Sequence, residues 1–505
     1  MSTVSKKTAI RCINNLPWNF KTDSQIDYYP LAITSYPAIC NEELCTVGYD
    51  HAMITWATPK RLADTTICFG DTPERLTKYT VNQNTQYHWV EIHGLKSSAR
   101  YWYRVECKEA QGPLNSFTTL PKPEGRHLFS YAIFSDTHIA STNPAQDINE
   151  IYFGKLVEYS SSLLVQCIQD SKRRNIDLAV LTGDLTDSAN KQQYLELRNQ
   201  ILPCFGDTPH LLCIGNHDKY TKDSGIGEQG FLDYVSNREK TCANYVFRDY
   251  QFILVDSCRE NNNWGYIDQN QLQWTKNILQ NEGKPSYLFL HHPCNGPDLW
   301  FGVKNHIELK KTIRPFSCVQ GVFCGHIHRN KVTANRFMTG NLPYVEVPAT
   351  VQFPCAYAVV QVFENGFVYN SYKVSRLDLS EMSRGRFILK NGGNAIFTWY
   401  GLGGIGDRCF SYSNGRLFRP ARFELSVTLE HQRAVEFYQR VQSVDGASLT
   451  CSDNINNLKV VLGHHDLHLS AVQSYRDKFS RFNINATISK EGNYDVPQQT
   501  KLRVR

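Results

Sequence analysis

The rhythm of apolar and polar positions changes twice along the chain. From about residue 24 to residue 120, short alternating runs are broken by turn residues. Residues 52–59 (AMITWATP) alternate and stop at a proline; residues 86–92 (QYHWVEI) and 101–105 (YWYRV) alternate again. Short strands at regular spacing predict an antiparallel sandwich over 24–120. Residues 121–125 (PKPEG) then read as a linker, because both prolines resist regular structure. From about 128 to 374 the alternation gives way to unbroken apolar runs: 131–134 (YAIF), 178–181 (LAVL), 211–214 (LLCI), 252–255 (FILV), 287–290 (YLFL) and 319–324 (VQGVFC). Such runs fit strands covered on both faces. Apolar positions near every third or fourth residue predict helices over 151–174 and 268–279. The expectation is a layered α/β domain over 126–376. Residues 384–505 form a third stretch, read as an α+β domain of unknown type. It has glycine-rich turns at 392–393 and 401–404, and a predicted amphipathic helix over 427–441 (VTLEHQRAVEFYQRV).

Composition narrows the class. The chain has 505 residues, with 41% hydrophobic and a net charge of +6. That is enough apolar material for several cores, and a charge too mild and scattered to point to nucleic acid. Residues 1–20 (MSTVSKKTAIRCINNLPWNF) lack the apolar core of a secretory signal, and no run reaches the ~18 residues a membrane helix needs. The 16 cysteines are spread without close pairing, several inside apparent core strands. The pattern suggests free thiols in a reducing, cytoplasmic compartment, with export by a signal-less route left open.

Candidate chemistry sits at the ends of the apolar runs. Five blocks follow them: Asp136-x-His138, Gly183-Asp184, Gly215-Asn216-His217-Asp218, His291-His292-Pro293 and Gly325-His326-x-His328. Singly, each has an ordinary reading as a surface pair, a turn or a structural histidine. Together and in order they predict one site, because the carboxyl ends of strands are where an open α/β sheet presents functional groups. Glycines 183, 215 and 325 are expected to let the backbone turn sharply. Carboxylates neutralise cations, and imidazoles select borderline transition metals. The predicted ligands are Asp136, His138, Asp184 and His328 on one ion, and Asp184, Asn216, His291 and His326 on the other, with Asp184 bridging. His291 is preferred to His292 as the ligand of its pair. Two such ions would lower the pKa of a shared water and leave a hydroxide for in-line attack on phosphorus. His217 is left over from the ligand count and is assigned as general acid or phosphate-positioning group, with Asp218 to orient it.

These blocks resemble the calcineurin-like metallophosphoesterase superfamily. The resemblance covers about half the chain and implies a four-layer α/β/β/α fold, two transition-metal ions (Mn, Fe or Zn) and a catalytic histidine at His217. Residues 24–120 resemble the fibronectin type III-like amino-terminal domain of purple acid phosphatases, with Trp56 as core tryptophan and a tyrosine corner in the 95–103 stretch. The site itself departs from that branch. The ferric-binding tyrosine of purple enzymes is replaced by Asp187, and His138 is added, as in class III cyclic-nucleotide phosphodiesterases. Residues 265–274 (GYIDQNQLQW) and 348–353 (PATVQF) resemble the same branch.

The expected function is a colourless phosphodiesterase. The alternatives are a phosphomonoesterase acting on a small molecule, lipid or protein, and an interaction protein with a vestigial metal site. The expected substrate is a phosphate ester, with nucleotides and cyclic nucleotides among the candidates. A protein partner or a homo-oligomer would use the terminal domains. Selectivity is expected in the loops 220–228 and 295–305. Cys451, expected at a helix start, gives residues 384–505 a faint resemblance to permuted papain-like or NlpC-type hydrolases; a binding or dimerisation domain with an ordinary cysteine is the preferred reading.

Overall fold

A computed structural model describes residues 9–12, 39–58, 62–108, 110–112, 114–140, 154–294, 301–334, 339–391, 405–420, 423–428, 447–451 and 457–462. The chain divides into two compact units. One comprises residues 1–122, 388–411 and 418–505; the other comprises 123–387 and 412–417. The division at 122 falls inside the predicted linker.

The first unit is strand-rich and antiparallel. One sheet pairs Ala9–Cys12, Tyr87–His93, His51–Ala57 and Cys40–Val47 in that order. A second sheet pairs Arg75–Thr85, Ala63–Thr72 and Arg100–Cys107, with Asn115–Thr118 on the last of these. His88 ties one sheet to the other. Its ring stacks on Trp56 at 4.9 Å, and its two nitrogens lie 2.9 Å from the hydroxyls of Thr58 and Thr65. A third sheet pairs Phe423–Thr428, Asn457–Leu462 and Ala447–Cys451. Cys451 thus closes a strand and does not open a helix. The first residues of the helix expected over 427–441 also lie in a strand; the remainder, 429–441, falls outside the described residues.

The second unit is built on two mixed sheets. One runs in the order His210–Cys213, Leu178–Thr182, His127–Phe134, Ala356–Phe363, Gly366–Lys373, the first three parallel. The other runs Ala243–Phe247, Tyr250–Leu254, Ser286–Phe289, Val319–Cys324, Tyr344–Glu346, Lys331–Thr333, parallel through its middle. The unbroken apolar runs are explained by what covers each face. Tyr131 meets Phe252 at 5.2 Å and Tyr287 at 5.4 Å, ring to ring, and Phe323 stacks on Tyr369, so aromatic rings fill the space between the sheets. The alternate residues of the second sheet, including Ile253, Leu288, Leu290 and Val322, pack outward on Leu272 and Leu279 of the helix Gln269–Glu282 and on Leu309 and Ile313 of His306–Ile313. On the first sheet, Phe134 turns the other way, onto Phe205 and Tyr357. Helices outside, sheets inside is the layering that buries both faces of a strand.

Helix ends follow local chemistry. Asp268 caps Gln269–Glu282 by accepting from Gln271 N at 2.8 Å, and Gly283 ends it with a left-handed φ of 58°. The helix predicted from residue 151 begins later, at Ser160. Gly154 takes a φ of 80° ahead of it, and Lys155 is buried against Asp187; a helix through 154–156 would forfeit that placement.

Candidate metal centre

Every predicted ligand stands just past the carboxyl end of a strand, and both sheets contribute. Asp136, Asp184 and Asn216 follow strands of the first sheet; His291, His326 and His328 follow strands of the second. Asp136, His138, Asp184, His326 and His328 all have left-handed backbone, with φ between 43° and 72°. Non-glycine residues adopt this region at a cost, and such clusters mark sites where geometry outweighs local comfort. Neighbouring loops hold the turns in place. His138 N donates to Asp184 O at 2.9 Å, Gly325 N to His291 O at 2.9 Å, and His217 N to Asp184 Oδ1 at 2.9 Å. Of the three glycines, only Gly183 uses its freedom of φ, at 95°. Gly215 and Gly325 are needed for close approach: a side chain at 215 would overlap the Asp184 backbone, and one at 325 would overlap Ser135 Oγ and Asp136 Oδ2.

The buried side chains gather into adjoining groups. In the first, His138 Nε2 lies 3.1 Å from His328 Nε2, and His328 Nε2 lies 3.4 Å from Asp136 Oδ1. In the second, His291 Nε2 lies 2.9 Å from Asn216 Oδ1, 3.2 Å from Asp184 Oδ1 and 3.3 Å from His326 Nδ1. Asp184 faces both, with Oδ1 toward His291 and Oδ2 3.6 Å from His138 Nε2. Atoms ~2.1 Å from a common ion stand roughly 3.0–3.4 Å apart in octahedral to tetrahedral arrangements. The spacing within each group fits that range.

The outward nitrogens explain why the inward ones are available. His291 Nδ1–H donates to Thr182 O at 3.0 Å, His328 Nδ1–H donates to Gln352 Oε1, and His138 Nδ1 lies 3.1 Å from Asp187 Oδ1. The first two contacts place the proton outside and, with His138 Nε2 turned the same way, aim Nε2 lone pairs at one another and at Asp184, Asp136 and Asn216 Oδ1. A buried ring of acceptors facing acceptors is satisfied by cations. The electrostatics agree. Burial, then Lys155 and His217, pushes His138 down to about 3; burial, then His291, does the same for His326, so both rings are neutral donors of a lone pair. Burial opposes charge on Asp136, yet His328 and His291 hold it at about 2. His291 is the exception: burial lowers it, but the Asp184 carboxylate outweighs burial and raises it to about 9, a proton standing where a cation would.

His217 sits beside these groups, part-exposed. Its Nδ1–H donates to the Asp187 carbonyl, and its Nε2 lies 3.9 Å from Asp184 Oδ2. The residue expected to orient it is occupied elsewhere. Asp218 is fully buried and accepts from the backbone N–H groups of Gly215, Leu185 and Thr186 and from the Thr186 hydroxyl. It clamps two ligand loops together, while burial, then Asp184, raises its carboxyl to about 6. The orienting contact comes from Asp187. Its carbonyl holds His217, its carboxylate faces His138, and Lys155 Nζ closes on the same carboxylate oxygen at 2.9 Å. His138, Asp187 and His217 form a further group of ligand-type atoms. Lys155 carries no signal in the sequence, being one lysine between a glycine and a leucine. Gln352 stands out in the sequence only through the 348–353 stretch that contains it. His292 Nδ1 lies 2.9 Å from Ser257 Oγ. Tyr220 opens the approach: its ring lies 4.7 Å from that of His217, and its hydroxyl lies 3.2 Å from Asn216 Nδ2.

The chain is similar to known proteins. The calcineurin-like phosphoesterase family matches residues 129–330. A probable cyclic nucleotide phosphodiesterase of Moraxella catarrhalis is 29% identical over 222 residues, 42% of this chain and 75% of that protein. A probable glycerophosphodiester phosphodiesterase of Arcobacter nitrofigilis is 24% identical over 212 residues, 39% of this chain and 71% of that one. Among solved structures, a dimetal phosphatase from Danio rerio superposes with a TM-score of 0.40 at 13% identity, over 49% of this chain and 96% of its own. A purple acid phosphatase from yellow lupin gives 0.35 at 15% identity, over 67% and 72%. The chain therefore carries a calcineurin-like phosphoesterase domain, a hydrolase of phosphate esters whose family implies two metal ions.

Proposed function

We propose that the chain is a phosphodiesterase. The observation that carries this reading is the division of Asp184: one oxygen faces the Asn216, His291 and His326 group, the other the Asp136, His138 and His328 group. The proposed ligands are those residues, with Mn, Fe or Zn as the ions. Bound there, the ions would lower the pKa of a water to give hydroxide for in-line attack and would neutralise charge on the phosphoryl oxygens. The protein's own part is orientation and proton transfer. The Asp187 carbonyl fixes His217 through Nδ1, which leaves Nε2 to carry a proton to the leaving oxygen. Asp218 acts on the loops and not on the proton.

Diesters are favoured over monoesters, and cyclic nucleotides are candidate substrates, as in the relatives' names. Asp187 stands where purple enzymes hold a tyrosine, so the enzyme should be colourless. We read the first unit's strands over 24–120 as fibronectin type III-like, supported by Tyr101, whose hydroxyl accepts from Lys96 N at 2.9 Å as a tyrosine corner does. Residues 384–505 are read as a binding or dimerisation region. No helix among the described residues is long and apolar enough to cross a membrane. Thirteen cysteines, Cys45 and Cys258 among them, are free, which supports a reducing, cytoplasmic setting.

The test compares hydrolysis of bis(p-nitrophenyl) phosphate and p-nitrophenyl phosphate, with metal analysis of the same sample. Two ions per chain and faster diester cleavage are expected. Faster monoester cleavage would transfer the assignment to a phosphatase. No activity with any transition metal, unchanged by Asn216→Ala, would leave an interaction protein.

A further inference from the structure

A cleft of about 1190 Å³ opens in the second unit, away from the metal centre. It lies at the opposite end of the same strands. Tyr250 opens the strand Tyr250–Leu254, Pro285 precedes Ser286–Phe289, and Val319 opens Val319–Cys324, and all three line the cleft. The metal ligands follow the other ends of the last two strands. Strands of this length span roughly 13–20 Å, so the two places share no residue.

The cleft collects positive charge. The helix His306–Ile313 and the residue after it turn Lys310, Lys311 and Arg314 into it. None of these three has a carboxylate within ion-pair distance among the described residues. The acid on the wall, Glu364, is held by Arg126 at 2.8 Å. His306 also lines the wall, and burial, then Lys310, keeps it toward its neutral form. Lys310 is half-buried, and burial pushes its amine down, the signature of a cation that lacks a counter-charge.

Aromatic side chains form part of the remaining wall, among aliphatic and small polar residues. Tyr250 stacks on Tyr287 with centroids 6.0 Å apart and planes 12° from parallel. Lys310 Nζ lies 5.7 Å from the Tyr344 centroid. Tyr287 and Tyr344 are almost fully buried, at 1% and 2% exposure, while Tyr250 and Tyr412 are only partly buried. An arginine fork with two lysines matches a phosphate, and aromatic faces take a planar ring. The volume is of the size that accepts a drug-sized or nucleotide-sized molecule.

We propose that this cleft is a second ligand site that takes a nucleotide: phosphate against Lys310, Lys311 and Arg314, and base against the partly exposed Tyr250 and Tyr412. The site requires no metal and stands whether or not the catalytic assignment holds.

Calorimetry on the full chain stripped of metal by a chelator tests this, with adenosine monophosphate as probe and inorganic phosphate and adenosine as comparators. The nucleotide should bind, with phosphate and adenosine each weaker by about tenfold or more. The pair Lys310→Ala with Arg314→Ala should lower nucleotide affinity by about tenfold or more, the loss of charge-assisted contacts. After metal is restored, that variant should cleave bis(p-nitrophenyl) phosphate at the parent rate. Lys311→Gln alone serves if the double variant does not fold, with a smaller loss in the same direction. The proposal is overturned if the parent chain does not bind the nucleotide, if phosphate binds as tightly, or if affinity is unchanged in a folded variant.

Discussion

Replacing Lys155 by methionine tests whether the buried Lys155–Asp187–His138 line tunes the metal centre. The ammonium lies 2.9 Å from Asp187 Oδ1, with the two side chains only 7% and 3% exposed. Removing one partner of such a pair commonly costs about 3–5 kcal/mol, because the other charge is left buried. Here His138 Nδ1 lies 3.1 Å from the same oxygen and can take part of that charge. The expected loss of stability is therefore at the low end, about 2–3 kcal/mol. Taking up that charge has a second effect. Burial and then Lys155 hold His138 down to about 3; without the lysine its pKa rises, and a proton on Nε2 competes with a metal ion there. Loss of an outer contact of this kind typically lowers metal affinity by about 10–100-fold. Urea unfolding measures the first effect. Metal analysis after dialysis against limiting metal at several pH values measures the second. One ion should be lost before the other, and more readily as pH falls. Retention of both ions at parental affinity, with a stability loss under about 1 kcal/mol, would refute the reasoning.

Other consequences are as direct. His217→Ala should lower kcat for the preferred ester by about 10²–10⁴-fold with both ions retained, since its metal-facing contact is made by backbone N–H; loss of metal in that variant would make it a ligand instead. Gly325→Ala places a methyl on Ser135 Oγ and Asp136 Oδ2, and should displace Asp136 and deplete metal; normal metal content would show that the loop can yield. His88 predicts an acid-sensitive first unit. Burial takes it from an ordinary 6.5 to about 3, so the unfolded chain binds the proton more readily. Its contribution is complete above pH 6.5 and is lost as pH falls toward 3, by at most about 4–5 kcal/mol. Thermal unfolding of this unit should show that decline in the parent and a shallower one in His88→Gln.

Much of the site could be read directly because its residue types are unusual at strand ends. An aspartate, asparagine or histidine straight after an apolar run is legible without coordinates, and the five blocks stand at the ends of the strands that the unbroken runs predict. The helix over 268–279 was equally plain, through its periodicity and the capping Asp268. Less was legible where a role depends on a distant partner. Asp218, adjacent to His217 in the chain, turns to Gly215, Leu185 and Thr186, because backbone N–H groups in two buried turns need an acceptor. The strand ending at Cys451 was missed because a local pattern of apolar and polar residues does not report its pairing with Asn457–Leu462.

Sequence alone determined which side chains could ligate, that they follow strands, and that the central strands are covered on both faces, since these are properties of residue type and spacing. The tertiary structure decided what faces what. It split Asp184 between two groups of histidines, turned the Nε2 atoms of His291 and His328 inward by fixing Nδ1 on Thr182 and Gln352, and brought Lys155 to Asp187 across 32 residues. It also gathered Lys310, Lys311 and Arg314 around a cleft at the far ends of the strands. Charge and hydrogen bonding act over a few ångströms of space, and only the packed sheets bring residues so far apart in the chain within that reach.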